Sequence, residues 1–132
     1  MQAVDLNFYH NIKPIKSTIR IIGEWKYQKT GHAIYYKADS SAYSFTNNPS
    51  ATYVLLSYRP ALLKNKFLRN IELAIRYSEF KTPTNAPWGG GNIHQTAVAL
   101  DYWFKWNSAI KFGYQNQTNL NNAFTAQVVF GF

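Results

Sequence analysis

Apolar and polar residues alternate one by one along most of the chain. The alternation is cleanest at the end, where Phe124, Ala126, Val128, Phe130 and Phe132 fall on one side and Thr125, Gln127, Val129 and Gly131 on the other. A side-chain period of two marks a β-strand, and no heptad or helical stripe competes with it. The same reading gives strands over about 3–10, 17–28, 51–59, 69–79, 93–105, 109–115 and 123–132. In 69–79, for example, Ile71, Leu73, Ile75 and Tyr77 alternate with Glu72, Ala74, Arg76 and Ser78. The expected fold class is therefore all-β, an antiparallel up-and-down sheet in a single unit spanning residues 1–132.

The connections differ in length. Asn11–Lys16, Pro60–Phe67 and Lys105–Ser108 are short, and about 29–50 and 81–92 are long and carry Gly, Pro and Asn. Asn116–Asn122 is a shorter polar link on the side of the long ones. Short turns on one side and long loops on the other are the habit of outer-membrane β-barrels. Within the first long loop, His32–Ala38 and Ala42–Phe45 are read as loop, with an extra hairpin as the alternative.

The two faces differ in charge. Asp5, Arg20, Glu24, Lys26, Arg59, Glu72, Arg76, Asp101 and Lys111 fall on one face, and the opposite sets are Val, Ile, Leu, Ala, Phe, Tyr and Trp. A charge facing the bilayer midplane costs about 2–4 kcal/mol for Arg or Lys, so segregation has a physical cause in a membrane wall. A soluble barrel would bury the apolar face instead, and alternation alone does not say which face is inside. Aromatic placement favours the membrane: Trp25, Tyr27, Tyr58, Tyr77, Tyr102, Phe104 and Tyr114 sit near strand ends on the apolar face, as interfacial girdles do. The expectation is a transmembrane β-barrel in a bacterial outer membrane, embedded in outer-membrane lipid.

Composition agrees and excludes other classes. Apolar residues make up 46% and aromatics 17% of 132 residues, yet mean hydropathy is −0.33, as fine mixing requires. No run of about 18 apolar residues exists, which excludes a transmembrane helix but not a barrel strand of about 9–11 residues. Without cysteine there is no disulfide framework or thiolate metal site. Met1–Asp5 lacks the basic and apolar regions of a signal peptide, so a mature or truncated chain is expected.

Several pieces resemble the phosphate-selective porin O and P family and its porin-like relatives. They are Gly23-Glu24-Trp25, Tyr53–Pro60, Glu72–Tyr77, Ala99–Trp103 with Lys111–Tyr114, and the closing Val128–Phe132, in the order found in the last third of such a porin. The terminal Phe130 and Phe132 resemble the C-terminal signal read by the barrel-assembly machinery. The resemblance implies the last seven or eight strands of a barrel of about sixteen, often a homotrimer. It also implies passive diffusion of small anionic solutes and no enzymatic activity. The phosphate-binding constriction of the specialised members lies largely in parts this chain lacks, so phosphate selectivity is not implied.

The candidate pore lining is Arg20, Lys26, Arg59, Arg76 and Lys111, with Glu24, Glu72 and Asp101 as either selectivity partners or charge balance. Two other classes stay open: a small complete barrel with a filled interior and a structural or adhesive role, and a soluble lipocalin-like binder of an apolar ligand. A net charge of +8 also suits nucleic acid, but charges and aromatics on opposite faces argue against it. His10, His32 and His94 lack metal-ligand spacing, and no cofactor is expected. The run Ala86-Pro87-Trp88-Gly89-Gly90-Gly91-Asn92 lacks the Lys-Ser/Thr of a phosphate cradle. A carboxylate pair among Glu24, Glu72 and Asp101 for glycoside hydrolysis has nothing to single it out.

Overall fold

The structure is a computed structural model that describes residues 1–83, 85–86, 90–118 and 120–131, with the side chain of Ala33 excluded. Nine strands form: β1 (Gln2–Ile12), β2 (Ser17–Tyr27), β3 (His32–Tyr36), β4 (Ala42–Thr46), β5 (Ser50–Arg59), β6 (Ile71–Lys81), β7 (Asn92–Lys105), β8 (Ser108–Gln117) and β9 (Ala123–Phe130). Seven of them make one sheet in the order β1-β2-β5-β6-β7-β8-β9, and every pairing is antiparallel. The strands follow the chain up and down, as the alternation requires. Among the described residues there is no α-helix, and the sheet is open, with β1 and β9 each paired along one edge only.

The segment read as loop between β2 and β5 is a hairpin instead. Strands β3 and β4 pair as a separate two-stranded sheet, so they add no eighth strand to the main one. The reason lies in the turn. Ser40 adopts φ +63°, and Asp39 accepts hydrogen bonds from the Ser41 hydroxyl (2.6 Å) and amide (2.9 Å), closing a tight reversal. Tyr35 stacks on Phe45 at 5.2 Å, and the Tyr43 hydroxyl donates to the Asn85 carbonyl, docking the hairpin on the second long loop. A second, smaller difference is a single 3₁₀ turn, Leu68–Asn70, that precedes β6, which therefore starts at Ile71.

Register carries each face through the whole sheet. Phe8, Ile21, Leu56, Ile75, Val98, Tyr114 and Phe124 stand opposite one another in turn, forming one apolar row across seven strands. The reverse face runs Tyr9, Arg20, Ser57, Ala74, Ala99, Gly113 and Thr125. Small side chains in the middle of that second row relieve crowding where the sheet curves inward. The polar face is concave: one recess of 310 Å³ draws its lining from six strands, Arg20 on β2 to Gln127 on β9.

Burial inverts the usual order. Through the middle of β5 to β8 the exposed positions are apolar ones, Val54, Leu56, Leu73, Ile75, Val98, Leu100 and Phe112, with more buried polar or small residues between them. Buried side chains include Ser17, Thr18, Ser57 and Asp101, and among the described residues the buried apolar ones are Phe45, Ala86 and Ala109. Among the described residues the main sheet encloses no apolar core.

Two outcomes follow from this packing. A Cβ at Gly113 would meet Thr125 Oγ1 at 2.7 Å on the concave side. Gly113→Val should lower stability by about 1–3 kcal/mol through overpacking, and Thr125→Ala in the same chain should recover most of it, as read by denaturant unfolding in micelles. The Asp39 carboxyl is held below its ordinary pKa, first by the Ser41 hydroxyl and then by its amide. Its contribution to the hairpin is complete above the unfolded value and falls as pH drops through the depressed folded one. Hydrogen-exchange protection of the Ser41 amide should decline below about pH 4, and Asp39→Ala should remove that pH dependence.

Candidate functional site

The concave face gathers all the charged residues singled out from the pattern. Arg20, Glu24 and Lys26 lie on β2, Arg59 on β5, Glu72 and Arg76 on β6, Asp101 on β7 and Lys111 on β8. Each has the parity of the polar face, so period two alone places them on one side. They line a trough with three recesses: 480 Å³ beside Glu24, Lys26 and Arg76, 310 Å³ beside Glu72, Asp101 and Lys111, and 420 Å³ beside Arg20 and Arg59.

The centre of the trough is a linked polar cluster. Glu72, Asp101, Lys111 and Gln127 stand opposite one another on four successive strands. Lys111 donates to Asp101 at 2.6 Å, and the Asp101 side chain is only 4% exposed. Trp103, on the same face, donates its indole N–H to Glu72 at 2.8 Å. The Arg59 guanidinium and the Lys111 ammonium lie over its ring at 5.6 and 5.4 Å, where the ring quadrupole attracts cations. Arg59 on β5 reaches Trp103 on β7 across the intervening strand, which inward curvature permits.

The cations are not equivalent. Lys26 pairs with Glu24 and Lys111 with Asp101, so their charges are cancelled locally. Among the described residues Arg20, Arg59 and Arg76 have no carboxylate within ion-pair distance. Arg76 donates to Gln95 at 3.0 Å and Arg59 to the Arg69 carbonyl at 2.9 Å, which orients both without neutralising them. Trp103 as the hub of the cluster was legible only as an aromatic on the charged side of β7. Gln95 carried no signal at all.

The opposite, convex face holds all seven aromatics predicted for it, and register arranges them in two inclined lines. On the long-loop side, Trp25 (β2), Tyr77 (β6) and Tyr114 (β8) descend toward the short turns by two residues for every two strands crossed. On the short-turn side, Phe8 (β1), Tyr58 (β5), Tyr102 (β7) and Phe130 (β9) descend at the same rate. Tyr27 and Phe104 lie one alternate position outside these lines. Between the lines stand aliphatic residues, Ala126, Phe112 and Gly23, with no charge. The charged strand residues on this face, Glu79 and Lys81, lie beyond the long-loop line and meet at 3.2 Å, with the His94 ring 3.9 Å from Glu79. Ser17 satisfies the Tyr58 hydroxyl at 2.8 Å on the short-turn side.

Phe130 is on the apolar face and well exposed, whereas Phe132 and the loop residues 87–89 lie outside the described residues. Among the described residues no three His, Asp or Glu side chains come together as metal ligands would. Compared with protein-family models, curated proteins and solved structures, the chain finds no match. The porin resemblance therefore rests on the quoted motifs alone.

The buried Asp101–Lys111 pair makes a direct test of the cluster. Lys111→Met leaves the carboxylate unpaired and should destabilise the chain by about 2–3 kcal/mol, less than for a fully sealed pair because Lys111 is one-third exposed. Asp101→Leu added to Lys111→Met should restore most of the loss in the same unfolding assay.

Proposed function

We propose that this chain forms part of the wall of a transmembrane β-barrel of the bacterial outer membrane, with a porin-like role in passive diffusion of small anionic solutes. Its convex face meets lipid and its concave face meets a hydrated lumen. The observation that carries this reading is the slope of the two aromatic lines. One residue of descent per strand is about 3.3 Å along the strand for about 4.8 Å across it, an inclination of about 35°. Barrel strands tilt by about 35–45° to the membrane normal, so both lines become level rings when strands of this sheet are so tilted. Rings of Trp, Tyr and Phe bounding an uncharged band are what two membrane interfaces select.

Two further facts support it. The exposed apolar band would meet water in a soluble protein, at a cost that scales with its area. A soluble binder of an apolar ligand needs the reverse arrangement, with charges on the convex face. In lipid the open edges of β1 and β9 must also be paired, because unsatisfied backbone groups there cost several kcal/mol each. Further strands of a larger barrel, or neighbouring copies, would supply those partners. A lumen with Arg20, Arg59 and Arg76 unneutralised favours anions by direct electrostatics. Lys111, paired with Asp101 on the neighbouring strand, ties β7 to β8, and Lys26 is cancelled by Glu24 on its own strand.

The test begins with insertion. The refolded chain should enter bilayers and shift mobility on heating, and Ile75→Arg or Val98→Arg should each oppose insertion by about 2–4 kcal/mol. Planar-bilayer conductance should then show anion-selective steps. Neutralising Arg20 and Arg76 should reduce the anion preference more than Lys111→Met does. Silence from inserted chain would sink the claim that this chain is itself a channel and favour a filled interior. Failure to insert would sink the wall.

A further inference from the structure

The positive charge is concentrated at the short-turn end of the sheet. The β1–β2 turn carries Lys13 and Lys16, the β5–β6 turn carries Lys64, Lys66 and Arg69, and Lys105 adjoins the β7–β8 turn. No acidic residue lies in any of these turns. At the long-loop end charges balance: Lys26, Lys29, Lys37 and Lys81 are matched by Asp5, Glu24, Asp39 and Glu79. Within the trough Glu72 and Asp101 are turned inward onto Trp103 and Lys111 and leave the turns unscreened.

Each of the same three turns also exposes apolar side chains among its basic ones. Ile15 sits between Pro14 and Lys16 at 52% exposure, Phe67 between Lys66 and Leu68 at 60%, and Trp106 beside Lys105 at 85%. Turns that face only water have no need of such residues. Phe67 packs on Tyr102 of the short-turn aromatic line at 5.3 Å, whereas Trp106 stands on the trough side beside Arg20 and Arg59.

We infer that the three short turns dock into the headgroup layer of a leaflet rich in anionic phospholipid, which sets the orientation of the sheet in its membrane. Lysine and arginine meet the lipid phosphates while Ile15 and Phe67 enter the boundary between headgroups and acyl chains. Basic residues near an anionic lipid surface and apolar anchors beside them act together at such boundaries. The inference rests on the membrane-wall reading for the placement of the aromatic line, but charge and anchors point to lipid by themselves.

The experiment is flotation of the full refolded chain with vesicles of phosphatidylcholine alone or of equal parts phosphatidylcholine and phosphatidylglycerol, followed by a carbonate wash. Anionic vesicles should carry more chain, and added salt should remove most of the gain. The variant Lys13→Gln/Lys16→Gln/Lys64→Gln/Lys66→Gln should lose the gain by about fivefold per charge removed while binding phosphatidylcholine as before. Lys29→Gln/Lys37→Gln/Lys81→Gln should keep it. Equal flotation with both vesicles by chain that resists the carbonate wash would overturn the docking and leave the wall intact. Charge-dependent flotation reversed by carbonate would uphold the docking and sink the wall. A gain that followed the long-loop lysines would overturn the docking, as would indifference to lipid charge coupled with salt-sensitive binding of a single-stranded oligonucleotide.

Discussion

Strand register is the constraint on which the rest of this structure depends. Side chains repeat with period two, so a slip of one residue between any two neighbours would turn an entire strand over. Phe8, Ile21, Leu56 and Ile75 would then face Arg20 and Arg76 instead of continuing one apolar row. The segregated faces, the trough and the two aromatic lines all follow from six consecutive pairings that preserve parity. The irregularity between Trp103 and Lys105 falls at the short-turn end of β7, where it leaves the band of Val98, Leu100 and Tyr102 in phase.

The polar face solves a packing problem as well as an electrostatic one. A curved sheet crowds side chains on its concave side, and Ala74, Ala99 and Gly113 provide room there for the larger groups on neighbouring rows. Trp103 uses that room to bond Glu72, and Lys111 to bond Asp101, each at hydrogen-bond distance. Arg20, Arg59 and Arg76 remain without carboxylate partners among the described residues. The arrangement separates charges cancelled by a neighbour from charges left open to the trough.

The convex face has the opposite logic. Its side chains touch few neighbours and gain little from one another, so their stabilisation has to come from whatever covers them. The band between the two aromatic lines carries no charge, and the lysines and arginines of the short turns lie outside it.

Alternation in the sequence was enough to establish the all-β class, all seven main strands to within two residues at each end, and the face on which every candidate charge and aromatic would lie. That much is local, because parity along one strand depends only on covalent geometry. The hairpin of β3 and β4 stood only as the alternative to a loop because its evidence is a turn, Asp39 bonded to Ser41 with Ser40 at positive φ, which shows no long periodicity. Tertiary structure alone decided which face is concave, because both curvatures have the same alternation. It also decided which cations are cancelled, since Lys111 meets Asp101 only through the β7–β8 register. The common slope of the aromatic lines is a sum of offsets over six strand pairs, and no single strand contains it.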